Sequence, residues 1–264
     1  LAFRPFQVHA LDSYIQTIAK NQSHLGIAST GFDKSIMMAY ISHFAARAGW
    51  RTIIVAHREA LVTQNGTKAE RVAQVEVGYE MAAQRTEGYE RIISASIGTL
   101  RGRRLDNCIQ RWRADGKPIF LMIDEAHHAL AKSYQTLIEK LRPERILGVT
   151  ATPFRPDDEG GKSLSAIFPG VAFDVRRSEL VRSGELCHPW HYSIRTGLTL
   201  SGCKSTAGDY NEEDLFRRLN VESRNDLIVE SAGLIAKLHE QQQRVCRGVT
   251  FAINVAHMHL LADM

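Results

Sequence analysis

The stretch IFLMIDEAHH, residues 119–128, decides the fold. Its first five residues form an unbroken apolar run without polar alternation, as expected of a strand covered on both faces of a parallel sheet. The run ends in Asp124 and Glu125. Two adjacent carboxylates at the mouth of a buried strand are costly unless they meet a cation. Asp124 therefore suits a Mg²⁺ ligand, direct or through water, and Glu125 suits orienting and deprotonating an attacking water. The plain alternative is an acidic cluster that caps the next helix.

Working outward, apolar β-branched runs recur at LGIAS (25–29), TIIVA (52–56), RIISAS (91–96) and RILGVT (145–150). Between them lie helical stripes, one of Ile36, Met37, Tyr40, Ile41 and Phe44, another of Leu130, Tyr134, Leu137, Ile138 and Leu141. Strands that alternate with helices imply right-handed crossovers and a doubly wound parallel α/β sheet flanked by helices. Such sheets bind ligands beyond the carboxyl ends of their strands, so the chemistry should follow each apolar run.

After LGIAS comes STGFDKS, residues 29–35, then a helix. A strand, a tight turn and Lys-Ser at a helix N-terminus form the layout of a phosphate-binding loop. Backbone N–H groups and the helix dipole face the phosphates, Lys34 supplies a cation, and Ser35 can ligate Mg²⁺. Asp33 stands where glycine normally precedes the lysine. A carboxylate about 4 Å from a phosphate charge costs about 4 kcal/mol per unit pair at an effective dielectric of 20, and its Cβ resists the positive φ that glycine allows.

The 264 residues, 44% hydrophobic and 23% charged, exclude disorder and collagen-like repeats. The longest apolar run falls far short of a membrane span, and the N-terminal residues lack the succession of a signal peptide. A formal charge of +4 is too small to mark a nucleic-acid binder by itself. Cysteines 108, 187, 203 and 246 contain no pair at metal or redox spacing, which points to an intracellular reducing compartment, cytoplasmic or other.

The texture changes at PDDEGGKS (156–163) and again along GLTLSGCKSTAGDYNEEDL (197–215), both polar and without clear period. Ser223–Gln243 reads as a helix, with Ile228, Ala232, Ile235 and Leu238 on one face, and VCRGVTFAI (245–253) as a buried strand opening a second α/β unit. Three parts result: residues 1–190 as a nucleotide-binding domain, 191–222 as a linker, and 223–264 as the truncated start of a second domain. The chain starts at Leu1 and stops inside a helical stretch, as a piece of something longer would.

Five motifs in order, RPFQ (4–7), STGFDKS (29–35), AHREALVTQ (56–64), DEAHH (124–128) and VTATP (149–153), resemble the superfamily 2 DExH-type helicases. The resemblance is to the branch of DNA-repair helicases and type I and III restriction motor subunits. It implies RecA-like P-loop domains that clamp ATP, with a nucleic-acid strand across the top. Carried over by motif, Arg4 and Gln7 read adenine, Thr30, Gly31, Lys34 and Ser35 hold phosphate and Mg²⁺, and Asp124, Glu125 and His127 activate water. Thr150, Ala151 and Thr152 couple hydrolysis to strand movement, with His127 linking them to the ATP site. His57, Arg58, Ser96 and Thr99 match positions that touch the nucleic-acid backbone, contacts that position a strand without reading it. FDVRRSELVRSGELCHPWHY (173–192) and RGVTFAINVAHMHLL (247–261) resemble the exit from the first domain and the opening of the second. The arginines that in the family reach the γ-phosphate fall in motifs beyond these residues.

Plainer readings exist for other features. Arg101, Arg103, Arg104, Arg111 and Arg113 could extend a nucleic-acid track or line a solvated helix face. Cys187, His188 and His191 lack a fourth zinc ligand. The expected function is an ATP- and Mg²⁺-dependent helicase or translocase on DNA in preference to RNA, with no membrane partner, an open oligomeric state and little turnover from these residues alone. Asp33 supports an alternative, a degenerate, weakly or non-hydrolysing nucleic-acid-binding module. A restriction-enzyme motor subunit is a third reading, with no nuclease motif visible in these residues.

Overall fold

A computed structural model of the protein describes residues 3–153, 163–189, 193–206, 209–241, 245 and 248–264. Seven strands build its sheet: β1 (Ser23–Ala28), β2 (Arg51–Ala56), β3 (Val77–Glu80), β4 (Ile92–Ser96), β5 (Ile119–Asp124), β6 (Arg145–Thr150) and β7 (Gly170–Val175). Every pairing in it is parallel, in the order β3-β4-β2-β5-β6-β1-β7. The five apolar runs read from the sequence are the five inner strands.

Six helices cover the sheet: α1 (Pro5–Thr17), α2 (Lys34–Arg47), α3 (Glu59–Ala73), α4 (Gly102–Arg113), α5 (Lys132–Leu141) and α6 (Arg177–Arg182). Strand side chains alternate between two cores, as a pleated backbone requires. Ile54, Ile92, Phe120, Met122, Leu147 and Val149 pack with residues of α1, α2, α3 and α6. Ile53, Val55, Ile93, Leu121, Ile123 and Ile146 pack with residues of α4 and α5. Both faces are thus apolar, which is why these strands show continuous runs and no period of two. The α2 stripe is buried through Ile36, Met37 and Ile41, while Phe44 at its margin is exposed. On β6, Gly148 leaves room that a Cβ would take from Phe168 and Ala126, so the turn after β5 can lie against the strand.

The edge strands β3 and β7 have no counterpart among the runs read from sequence. β3 is four residues long, and β7 buries only part of its GVAFDV sequence. Edge strands are short or half-covered and lose the apolar signature of central ones.

Arginine 51 opens β2 fully buried. Its guanidinium donates from Nε to the Glu90 carbonyl at 2.9 Å, to the Trp112 carbonyl, and to both carboxylate oxygens of Asp115 at 2.9 Å. Burial alone would raise the Asp115 pKa, but hydrogen bonds from Lys117 and Arg51 outweigh it and hold the carboxyl well below its usual range. Glu80, also buried, accepts from Arg104 Nε at 2.7 Å and from Arg111 at 3.3 Å, while Arg113 meets Glu144 at 2.6 Å. Three of the five arginines read as a possible nucleic-acid track are therefore spent on joining α4 to the sheet and its loops. Arg101 and Arg103 remain exposed.

Contacts divide the chain into Leu1–His188 and Pro189–Met264. The second unit holds a hairpin of β8 (Ser205–Thr206) and β9 (Asp209–Tyr210), then α7 (Glu212–Leu219), α8 (Glu222–Gln241) and α9 (Val255–Asp263). The hairpin and α7 thus lie within the span expected to be a linker. Asn211 and Asn254 cap α7 and α9 through their side-chain oxygens, and His257 bonds Asn225 at 3.1 Å. The strand expected over 245–253 is not formed among its described residues, and Phe251 is 93% exposed. A lone segment with no neighbouring ladder has nothing to satisfy its backbone groups in extended form. Nearly all of the polar loop 156–163, together with His191 and Cys246, lies outside the described residues.

The Arg51–Asp115 pair sets a pH dependence. A depressed folded-state pKa contributes stability above the ordinary carboxylate range, lost as pH falls toward the folded value. Asp115→Asn should cost about 2 kcal/mol at pH 7, and the deficit should shrink progressively below about pH 4. Urea unfolding of both proteins at pH 7 and pH 3 checks this.

Candidate nucleotide and nucleic-acid site

All the chemistry-bearing motifs emerge at one edge of the sheet, because β1, β5 and β6 are parallel neighbours. The register sets Ile27 beside Thr150 and Asp124 beside Val149. The carboxyl ends carrying residues 29–35, 124–128 and 150–152 thereby meet, as parallel α/β sheets require of a ligand site.

The loop after β1 turns at Gly31, with φ +95°, and again at Asp33, with φ +62°. Asp33 therefore adopts the left-handed conformation that a glycine would favour here, at a cost of about 1–2 kcal/mol. Lys34 and Ser35 begin α2, half-buried. Gln7 of α1 donates to the Phe32 carbonyl at 2.8 Å and accepts from the Arg4 backbone N–H at 3.0 Å. It is 2% exposed, so both ends of its amide are spent on holding the loop and starting α1. Arg4 is exposed and pairs with Glu185 at 3.1 Å.

Asp124 is buried, with Oδ1 accepting the Glu125 N–H and Oδ2 accepting Asn65 Nδ2, each at 2.9 Å. Glu125 has φ +50° and leads into a short 3-10 turn, Ala126–His128. Its pKa is raised, chiefly by burial; Lys34 opposes the rise and Asp124 adds to it. That influence places the lysine of one motif within electrostatic reach of the acid of the other. His127 Nδ1 lies 3.3 Å from Glu125 Oε2 and 3.0 Å from Thr150 Oγ1. Thr150 in turn accepts the Thr152 N–H at 3.2 Å. The imidazole thus bridges the carboxylate and the loop after β6, the link expected of it.

The positions expected to touch a nucleic-acid backbone divide. Arg58 and Thr99 offer accessible side chains, Arg58 fully and Thr99 partly, while Ser96 is buried at the end of β4. The ring of His57 lies 4.5 Å from that of His128, tilted by 57°, and burial together with the Arg58 charge pushes its pKa below the ordinary histidine value, against the pull of Glu125 and Asp124.

Sequence reasoning missed Gln64, Asn65 and Lys68. They follow one another along the side of α3 nearest the site, Gln64 exposed and Asn65 buried, with Lys68 one turn on from both, at i+4 and i+3. Gln64 donates to Ser35 Oγ at 3.4 Å, Asn65 to Asp124, and Lys68 to Asp33 at 2.6 Å. One side of the helix therefore ties the phosphate loop to the acidic strand end. No local motif announces this, because polar residues on an amphipathic helix normally read as its solvent side.

The donor set fits Mg²⁺. Ser35 Oγ and the Asp124 carboxylate are hard oxygen ligands, and the buried Oδ1 of Asn65 has no partner, which leaves an acceptor for a metal-bound water beside them. Among the described residues no group of three His, Cys, Asp or Glu side chains could hold a metal, and no helix is long and apolar enough to cross a membrane.

An acid pair at one strand end beside a strand-turn-helix loop, on a RecA-like parallel sheet, is the layout of the superfamily 2 helicases, and the family match agrees with it. The chain belongs to the family described as type III restriction enzyme, res subunit, whose model matches residues 1–155. It is 23% identical over 279 residues to the Saccharomyces cerevisiae protein IRC3, whose name assigns it as an ATP-dependent helicase; the match covers 98% of this chain and 38% of that protein. A 51.5 kDa protein of Lactococcus phage (isolate 7-9) is 24% identical over 76% of this chain and 39% of its own length. The chain thus spans under two fifths of the length of these relatives. Its fold is similar to that of the Type ISP restriction-modification enzyme LlaGI, solved with a DNA substrate mimic (TM-score 0.54, 13% identity, 70% of this chain and 21% of that one). It is also similar to that of the Sulfolobus solfataricus SWI2/SNF2 ATPase core, solved with dsDNA (TM-score 0.50, 15% identity, 69% of this chain and 38% of that one).

Asn65→Ala would leave Asp124 Oδ2 buried without its side-chain donor. Stability should fall by about 1–3 kcal/mol, read by urea unfolding at neutral pH.

Proposed function

We propose that this chain carries the ATP-binding motor domain of a helicase or translocase that acts on DNA in preference to RNA. The observation that carries the reading is the side of α3 holding Ser35 and Asp124 from two different strand ends toward one place. In this reading Ser35 and Asp124 would hold Mg²⁺, which would supply charge to offset the phosphates. Lys34 and the backbone N–H groups at the start of α2, with Thr30 and Gly31, position the phosphates. Glu125 orients the attacking water and takes its proton. His127 transmits the state of Glu125 to Thr150, Ala151 and Thr152. Arg4 and Gln7 would sense the nucleotide base, with Gln7 exchanging its bond to Phe32 when nucleotide arrives.

Arg58 and Thr99, with His57 and Ser96 behind them, would line the nucleic-acid side by phosphate contacts that do not read sequence. The DNA preference is supported by DNA-bound structures among those of similar fold. Residues 223–264, after a linker at 191–222, would begin a second RecA-like domain, and the activity of the whole protein depends on what the longer relatives add.

Glu125→Gln should lower ATP turnover by about 10²–10⁴-fold while leaving ATP–Mg²⁺ binding nearly intact, whereas Lys34→Ala should abolish binding. Equilibrium binding of a fluorescent ADP analogue and phosphate release with single-stranded DNA or RNA check this. Absence of nucleotide binding in the folded wild-type chain, with DNA still bound, would instead establish the degenerate binding module.

A further inference from the structure

Asp33 occupies the position in the phosphate loop where a negative charge is most damaging, directly before Lys34 and at the start of α2. A carboxylate there could cap the helix by accepting its free N–H groups, which would compete with phosphate for the same donors. It does not: the Asp33 side chain makes no capping hydrogen bond. It reaches the Lys68 ammonium instead, at 2.6 Å. Lys68 comes from the same side of α3 as Gln64 and Asn65, so the helix that steadies Ser35 and Asp124 also binds the one acid of the loop.

We propose that Lys68 is a positioning residue of the phosphate loop: by holding and neutralising Asp33 it restores the charge and the open backbone donors that a glycine at this position would provide. The two charges cancel and leave the single positive charge of Lys34 facing the ligand, a nucleoside triphosphate. The inference rests on reading residues 29–35 as an ATP phosphate loop. It makes Asp33 a compensated substitution, not a defect, and it removes the main ground for the degenerate reading. Lys68 need not touch the nucleotide. Its effect should pass through Asp33 and vanish when Asp33 is absent.

A double-mutant cycle on the full chain tests this, with affinity for a fluorescent ADP analogue and Mg²⁺ as the readout and thermal unfolding as the check on folding. Lys68→Ala should weaken nucleotide binding about tenfold in the wild-type background and by less than about twofold in Asp33→Gly, the range expected of a coupled charged pair. Lys68→Arg should retain affinity to within about threefold. Asp33→Gly alone should bind as tightly as wild type or more tightly. Equal losses from Lys68→Ala in both backgrounds would overturn the proposal, since Lys68 would then act on the nucleotide or the fold directly. So would no loss in either background, or weaker binding by Asp33→Gly. If no folded protein of the set binds nucleotide, the ATP reading itself fails and Lys68 loses its role with it.

Discussion

The parallel pairing of β6 with β1 on one side and β5 on the other is the constraint on which the rest of this molecule depends. Residues 29–35, 124–128 and 150–152 are far apart in the chain and none of them makes a site alone. Parallel strands all run the same way, so their carboxyl ends and following loops gather at one edge. An antiparallel neighbour would have sent one of these loops to the opposite end of the sheet. The pairing in turn needs apolar cover on both faces, which α1, α2, α3 and α6 provide on one side and α4 and α5 on the other.

Within that frame the polar groups are arranged by cost. Buried charges away from the site are paired: Arg51 meets Asp115 and two carbonyls, and Glu80 meets Thr86 and two arginines, although Arg111 Nε is left without an acceptor. Charges left buried and unpaired would cost several kcal/mol. At the carboxyl edge the matching is looser. Asn65 keeps an unpartnered buried oxygen, Glu125 carries a raised pKa, and Asp33 and Glu125 both sit at positive φ. Positive φ and unpartnered polar atoms occur elsewhere too, at Gln74, Ala82 and Arg142 and at Tyr14, His24 and Thr52, so what marks this edge is that an open acceptor, a carboxyl of raised pKa and two left-handed turns meet beside the same loops.

The five inner strands and the acid pair were legible because burial on two faces leaves an unambiguous apolar run, and because carboxylates at the end of such a run are rare. The edge strands were not, since β3 is only four residues long and half-covered β7 carries no continuous apolar run. The arginines after Thr99 looked like one basic patch, but charge in a sequence has no direction, and Arg104, Arg111 and Arg113 turn inward to Glu80 and Glu144. The segment at 245–253 had the composition of a strand, yet a strand exists only where a neighbour completes its hydrogen bonds.

The residue order by itself determined the class of sheet and placed the turn 29–35 and the acid pair 124–125 directly after buried strands, because local composition reports burial and a few spacings report turns. Only the tertiary structure decided who answers each charge. Gln7 proved to hold the loop, and Lys68 to bind Asp33. The Gln64, Asn65 and Lys68 side of α3 became part of the site for the same reason: hydrogen bonds and ion pairs act over about 3 Å of space, and sequence separation says nothing about that distance.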